Sequence, residues 1–236
     1  MTTAGATARP GLARSVLALL LGLVAVAAYA EASTTLDFVT FDGVAYIRWQ
    51  DEPGRSLAPD DLGIEFGTVQ CSLGEDVRGC PYGVDGGAAF LPAGTRMHVV
   101  RGHPTEFRLA AVWRDRTFLY QAWRNPRAKV GGDLYGLAGK VRAIDVRREA
   151  PAPGGTDVRP AITEPRDVQR LVDLIVRSPV QRPQPHAFGE PRYWLTFWLT
   201  DGTTLERAYF VETRELMGGI VLPAEFTPTL ERYLGD

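Results

Sequence analysis

The sequence predicts an α+β fold rich in strands. An all-β half, barrel- or sandwich-like, comes first; an α+β half with an antiparallel sheet and two helices follows. Three observations predict this. Between Thr34 and Trp123, short alternating apolar and polar runs recur with turn residues between them. Val168, Leu171, Val172 and Ile175 stand at i, i+3, i+4 and i+7, one face of a helix. Asn125 to Gly139, with Asn125-Pro126 and Gly131-Gly132, breaks both patterns and places a boundary near Val130. The organisation is then 1–30 as a signal peptide or membrane anchor, 31–129 as the all-β domain, and 130–236 as the α+β domain.

The elements follow in order. "LDFVTFDGVAYIRW" reads as two strands around Asp42-Gly43, a pair suited to a tight hairpin turn. "LAPDDLG" hints at one helical turn, in which Asp60 and Asp61 read as a cap or solvated turn. "GIEFGTVQCSL" is a strand interrupted at Gly67, where a bulge is expected. "AAFLPAGTRMHVVRG" gives a short strand, a turn and a longer strand, and "EFRLAAVWRDRTFLYQAW" two strands around Arg114-Asp115-Arg116.

In the second half "KVRAIDVRRE" alternates as a strand, and "VRPAIT" suggests another. Thr163 is the expected helix N-cap, with Glu164 and Pro165 in the first turn and Pro179 past the end. A hairpin, "RYWLTFWLTDGTTLERAYF", precedes a short strand "GIVLP". Glu225 to Leu234 offers a last helix with Phe226, Leu230 and Leu234 inward.

The first thirty residues read as a targeting segment. Arg9 and Arg14 precede the apolar run Val16 to Ala30, which ends in Ala28-Tyr29-Ala30 before Glu31. That run is shorter than the roughly 20 residues that span a bilayer comfortably, which favours cleavage; a retained anchor is the alternative. Without Arg9 and Arg14 the formal charge moves from −2 to −4. A mildly acidic body argues against nucleic acid and against a polybasic grip on lipid, leaving residues 1–30, if uncleaved, as the membrane contact.

Export makes a disulfide between Cys71 and Cys80 the expected state of the two cysteines. Their spacing is not C-x-x-C and no histidine accompanies them. The histidines, His98, His103 and His186, form no H-E-x-x-H or H-x-H motif, so no metal or cofactor is expected. No G-x-S-x-G and no phosphate-binding glycine loop occurs.

The hairpin is the one candidate binding element. A two-residue Asp201-Gly202 turn would pair Trp198 with Leu205, Thr196 with Arg207 and Trp194 with Tyr209. Trp194, Arg207 and Trp198 would then share a face able to stack on a sugar or a peptide, or to pack against the rest of the protein. Tyr193, Leu195, Phe197 and Leu199 would lie opposite, under the helix that starts near Thr163.

"FDGVAYIRW", "LGIEFGTVQC", "AAFLPAGTRMHVVRGHPTEFRLAA" and "YWLTFWLTDGTTLERAYF" resemble segments of uncharacterised exported or membrane-anchored bacterial cell-envelope proteins. The resemblance implies export and a two-part β-rich body, and transfers no functional residue. Two functions are expected from these readings: a non-catalytic envelope module binding a protein, peptide or glycan, or a secreted hydrolase of cell-wall glycan or peptide acting through a carboxylate pair.

Cleavage after Ala30 predicts a native protein that begins at Glu31. Intact-mass measurement checks this, and a species retaining residues 1–30 would establish the anchor instead.

Overall fold

The computed structural model describes residues 36–48, 53–75, 79–149, 156–158, 162–186 and 190–233. The targeting segment, residues 159–161 of "VRPAIT" and Leu234 lie outside them. Leu36–Asp236 forms one compact unit.

Turn chemistry builds the first sheet. β1 (Phe38–Phe41) and β2 (Val44–Ile47) meet at Asp42 and Gly43, whose φ angles of 51° and 71° suit the right-handed twist of a hairpin. A single 3-10 turn at Pro59–Asp61 leads into β3 (Leu62–Thr68), whose register shifts at Glu65 and again at Gly67, where the interruption was expected. Asp61 accepts a hydrogen bond from the Ala58 N–H and clamps Arg55, so it is a local structural acid. β4 (Cys71–Ser72), β5 (Gly87–Ala88), β6 (Arg96–Val100), β7 (Arg108–Trp113) and β8 (Arg116–Arg124) complete the sheet.

The strand order is β3-β6-β7-β8-β2-β1-β5-β4. Its two ends belong to one stretch of chain. Residues 62–68 pair with β6, while Cys71–Ser72 pairs with β5, and Val69 N–H and Gln70 N–H bond to Thr95 O and Gly86 O. The sheet therefore curls back onto a single bent strand. Val39, Phe41, Tyr46, Val69, Met97, Leu109 and Tyr120 fill the interior. A disulfide links Cys71 to the buried Cys80 and closes the loop next to this bend.

The second sheet has the order β10-β9-β11-β12-β13-β14. It contains β9 (Val141–Glu149), β10 (Thr156–Val158), β11 (Arg192–Leu199), β12 (Thr204–Phe210), β13 (Glu215–Leu216) and β14 (Ile220–Val221). Three helices accompany it: α1 (Gly131–Leu134), α2 (Pro165–Arg177) and α3 (Phe226–Glu231). Val168, Leu171, Val172 and Ile175 of α2 share a core with Ile144, Val146, Tyr193, Leu195, Phe197 and Leu199. The helix thus closes the sheet face for which its apolar stripe was suited.

Two local readings change. The N-cap of α2 is Glu164, extended at φ −64°, ψ 120°, and not Thr163. Pro165 is the cause, since a residue before proline is driven out of the helical region and the helix starts one residue later. The stretch Asn125 to Gly139, which shows no periodicity, contains α1 and carries the fully buried Leu134, Tyr135 and Leu137. A Cβ on Gly131 would lie 2.1 Å from the Ile175 carbonyl oxygen, so only glycine lets α1 approach the end of α2.

Opening the disulfide by Cys71→Ser and Cys80→Ser together is expected to lower stability by about 2–3 kcal/mol, through the freed short loop of the unfolded chain. Urea denaturation of the double variant checks this.

Candidate functional site

The β11–β12 hairpin turns through Thr200, Asp201 and Gly202, three residues in place of two. Leu199 N–H bonds to Thr203 O, Gly202 N–H bonds to Leu199 O, and Gly202 takes φ 84°. Asp201 stabilises the longer turn because its Oδ1 accepts from both the backbone N–H and the hydroxyl of Thr203, at 2.9 and 2.7 Å.

One extra residue slips the register by one and reverses the faces of β12. Trp194 pairs with Ala208, Leu195 with Arg207, Thr196 with Glu206, and Trp198 with Thr204. The expected pairing of Thr196 with Arg207 is therefore corrected. Arg207 leaves the tryptophan face, and Glu206 takes its place.

On the tryptophan face, β9 sets Asp145 opposite Thr196 and Arg147 opposite Trp194. Asp145 and Glu206 thus flank Thr196 from the two neighbouring strands. Trp198 donates its indole N–H to Asp145 at 2.6 Å, and the Arg142 guanidinium lies 5.4 Å from its ring centre. Glu206 accepts from the Thr196 hydroxyl at 3.0 Å and from Arg147 at 2.8 Å. Both indoles are half-buried, and Thr196 between them is buried. The face is a polar-edged aromatic row, neither fully covered nor fully open.

Arg207 is wholly buried on the other side. Its Nε donates to Tyr135 Oη at 2.9 Å, Nη2 to Ala122 O at 3.0 Å, and Nη1 to Glu206 O at 2.7 Å and Gln121 Oε1 at 3.4 Å. Tyr135 in turn donates to Met217 O at 2.5 Å; burial pushes its phenol up, against the lowering influence of the Arg207 charge. A second buried guanidinium, Arg108 of β7, reaches the hairpin from the first sheet. It donates to Thr203 Oγ1 and Thr204 O, both at 2.6 Å, and Gln121 adds a bond to Thr204 O at 2.7 Å. These groups are a seam between the sheets. Sequence reading missed Arg108, Gln121 and Tyr135 because nothing local marks a residue that bonds to a carbonyl some eighty positions away.

His103 belongs to this seam. Its Nε2 lies 2.8 Å from Asp201 Oδ2, and its buried Nδ1 has no hydrogen-bond partner. This arrangement suits the neutral tautomer that donates from Nε2, because a second proton on Nδ1 would be stranded. Burial lowers the His103 imidazole, outweighing the opposing hydrogen bond to Asp201. For Asp201 itself, burial raises the carboxyl, but bonds from His103 and Thr203 and the Arg108 charge outweigh it. The net effect holds Asp201 far below the usual carboxylate range. His98 stands on β6. His186 stacks on Phe210 at 3.4 Å with its nitrogens 3.2 Å from Glu190 and 3.5 Å from Glu215.

Among the described residues no group of three or more His, Cys, Asp or Glu is placed to hold a metal, and no helix is long and apolar enough to cross a membrane. Comparison with protein-family models, with curated proteins and with solved structures finds no match.

The pH behaviour follows from His103 and Asp201. The folded-state value of His103 is depressed, so the unfolded chain binds the proton first as pH falls. Its contribution is complete above its unfolded value, about 6.5, and is lost below it. The contribution of Asp201 has the same sign, is complete above about pH 4, and is lost at lower pH. Stability by urea denaturation is expected to be lower at pH 5 than at pH 7.5. His103→Gln, which retains an N–H donor for Asp201, should flatten that difference.

Proposed function

We propose that this chain is an exported cell-envelope protein whose body is a non-catalytic binding module for a glycan, with the Trp194–Thr196–Trp198 row as its ligand face. One observation carries the proposal. One face of β11 is closed by α2 and the core, while Trp194 and Trp198 on the other face keep part of their indole surface accessible. At about 3.3 Å rise per residue the two rings stand roughly 13 Å apart, a spacing for successive ring-shaped units rather than for one small molecule.

The chemistry suits sugars. An indole face packs against the C–H face of a pyranose, and carboxylates and guanidinia at its border exchange hydrogen bonds with hydroxyls. Asp145, Glu206, Arg142 and Arg147 supply that border. Their hydrogen bonds to Trp198, Thr196 and Arg147 hold both carboxylates as oriented acceptors, which supports binding over acid–base chemistry.

Placement in the envelope is supported by the apolar segment Val16 to Ala30, by the likeness to exported bacterial proteins, and by the disulfide, which fits an extracytoplasmic location.

In a thermal-shift and calorimetric screen of cell-wall glycans, the full chain is expected to be stabilised by at least one oligosaccharide. Trp198→Ala should weaken that binding about tenfold, the scale of one lost aromatic contact, with the glycan recovered intact. Absence of any binder, or an unchanged affinity in both Trp194→Ala and Trp198→Ala, removes this reading. Release of cleaved glycan that stops in Glu206→Gln would establish the hydrolase.

A further inference from the structure

A second feature of the hairpin lies at its turn end, away from the tryptophan row. A cavity of about 160 Å³ opens where the hairpin meets the first sheet. Arg48, Arg55 and Arg116 line it, together with the hydroxyl residues Ser56, Thr117 and Thr204, and no aspartate or glutamate is among its described lining residues.

The three cations differ in what already holds them. Arg55 is engaged through all three nitrogens, with its Nη atoms on Asp61 at 2.5 and 2.8 Å and its Nε on Asp201 O at 2.5 Å. Arg48 gives only its Nε, to the buried Asp37 at 2.6 Å, which leaves both its Nη groups with no hydrogen bond to a described residue. Arg116 makes no ion pair with any described residue. Both of these guanidinia rest on one ring: Arg48 lies 4.6 Å and Arg116 5.3 Å from the centre of Phe118. Two guanidinia are thus gathered on a single aromatic side chain at the wall of a cavity, with the hydroxyls of Ser56 and Thr117 alongside, while that of Thr204 donates to Pro53 O. An anion beside them would balance the charge of Arg116, since that of Arg48 is already met by Asp37, and would accept bonds from a planar, preset fork.

We propose that this cavity binds one oxyanion group, a phosphate or a carboxylate, with Arg116 and the Nη edge of Arg48 as its principal donors. The site is independent of the aromatic row and stands whether or not that row binds a glycan. Its place at the junction of the two sheets also suits a ligand that touches both.

The test uses the full chain in a non-ionic detergent, with sodium phosphate and sodium acetate as probes, each against sodium chloride at matched ionic strength. Phosphate, acetate or both should raise the melting temperature, and whichever does so identifies the source of the anion. Arg116→Gln should weaken that anion roughly tenfold in calorimetry, as expected for one lost charge-assisted contact. Arg116→Lys should keep part of the response. Because Arg116 is exposed, both variants should melt like the parent in chloride alone, and Trp198→Ala should respond to the anion as the parent does. No shift with either probe, or a shift unchanged in Arg116→Gln, overturns the proposal.

Discussion

Two buried guanidinium groups hold the molecule together where its two sheets meet. Arg108 and Arg207 have no accessible surface, yet between them they bond to the carbonyls of Thr204, Ala122 and Glu206 and to the hydroxyls of Thr203 and Tyr135. Removing such groups from water costs several kcal/mol each, and these bonds offset that cost. Apolar faces alone could slide over one another at little cost. A planar fork aimed at particular carbonyls cannot, so these arginines set how β12 sits on β7 and β8. Their removal would also strand those carbonyls inside the protein.

The seam depends in turn on a single residue of turn length. With a two-residue turn, Arg207 would face outward beside the tryptophans, and Glu206 would point into the core. With three residues, Arg207 enters the seam and Glu206 joins Thr196 and Arg147 at the surface. Asp201 is what makes the longer turn favourable, through its bonds to Thr203, and the same carboxylate receives His103 from the first sheet. The composition of both faces of the second sheet is therefore decided at the hairpin tip.

This explains which features could be read from the sequence. Strands around Asp42-Gly43 and Arg114-Asp115, the stripe of α2 and the Cys71–Cys80 link are all encoded by residues close in sequence, and local physics suffices for them. The register of β12 is not, because Asp-Gly fits turns of two or three residues and the choice rests on Thr203 and on His103, almost a hundred positions earlier. Tyr135 was hidden for a related reason. It follows two glycines in a stretch without periodicity, and its value lies in Arg207 and Met217, both distant in sequence. Asp145 and Arg147 were visible as strand residues, but only the pairing of β9 with β11 sets them beside the tryptophans.

The same construction makes the tryptophan row a rigid platform. A strand side chain on an exposed sheet face normally samples several rotamers, and a ligand must then order it. Here Trp198 is tethered through its N–H to Asp145 on the adjoining strand, and Glu206 is held from two sides by Thr196 and Arg147. Beneath them the backbone is pinned between β9 and β12, with α2 packed on the reverse face. Little conformational entropy would remain to be lost if a flat ligand settled on that surface as proposed. A buried polar seam that looks costly by itself thus has a consequence on the far side of the sheet, where it keeps the aromatic row and its polar border in one arrangement.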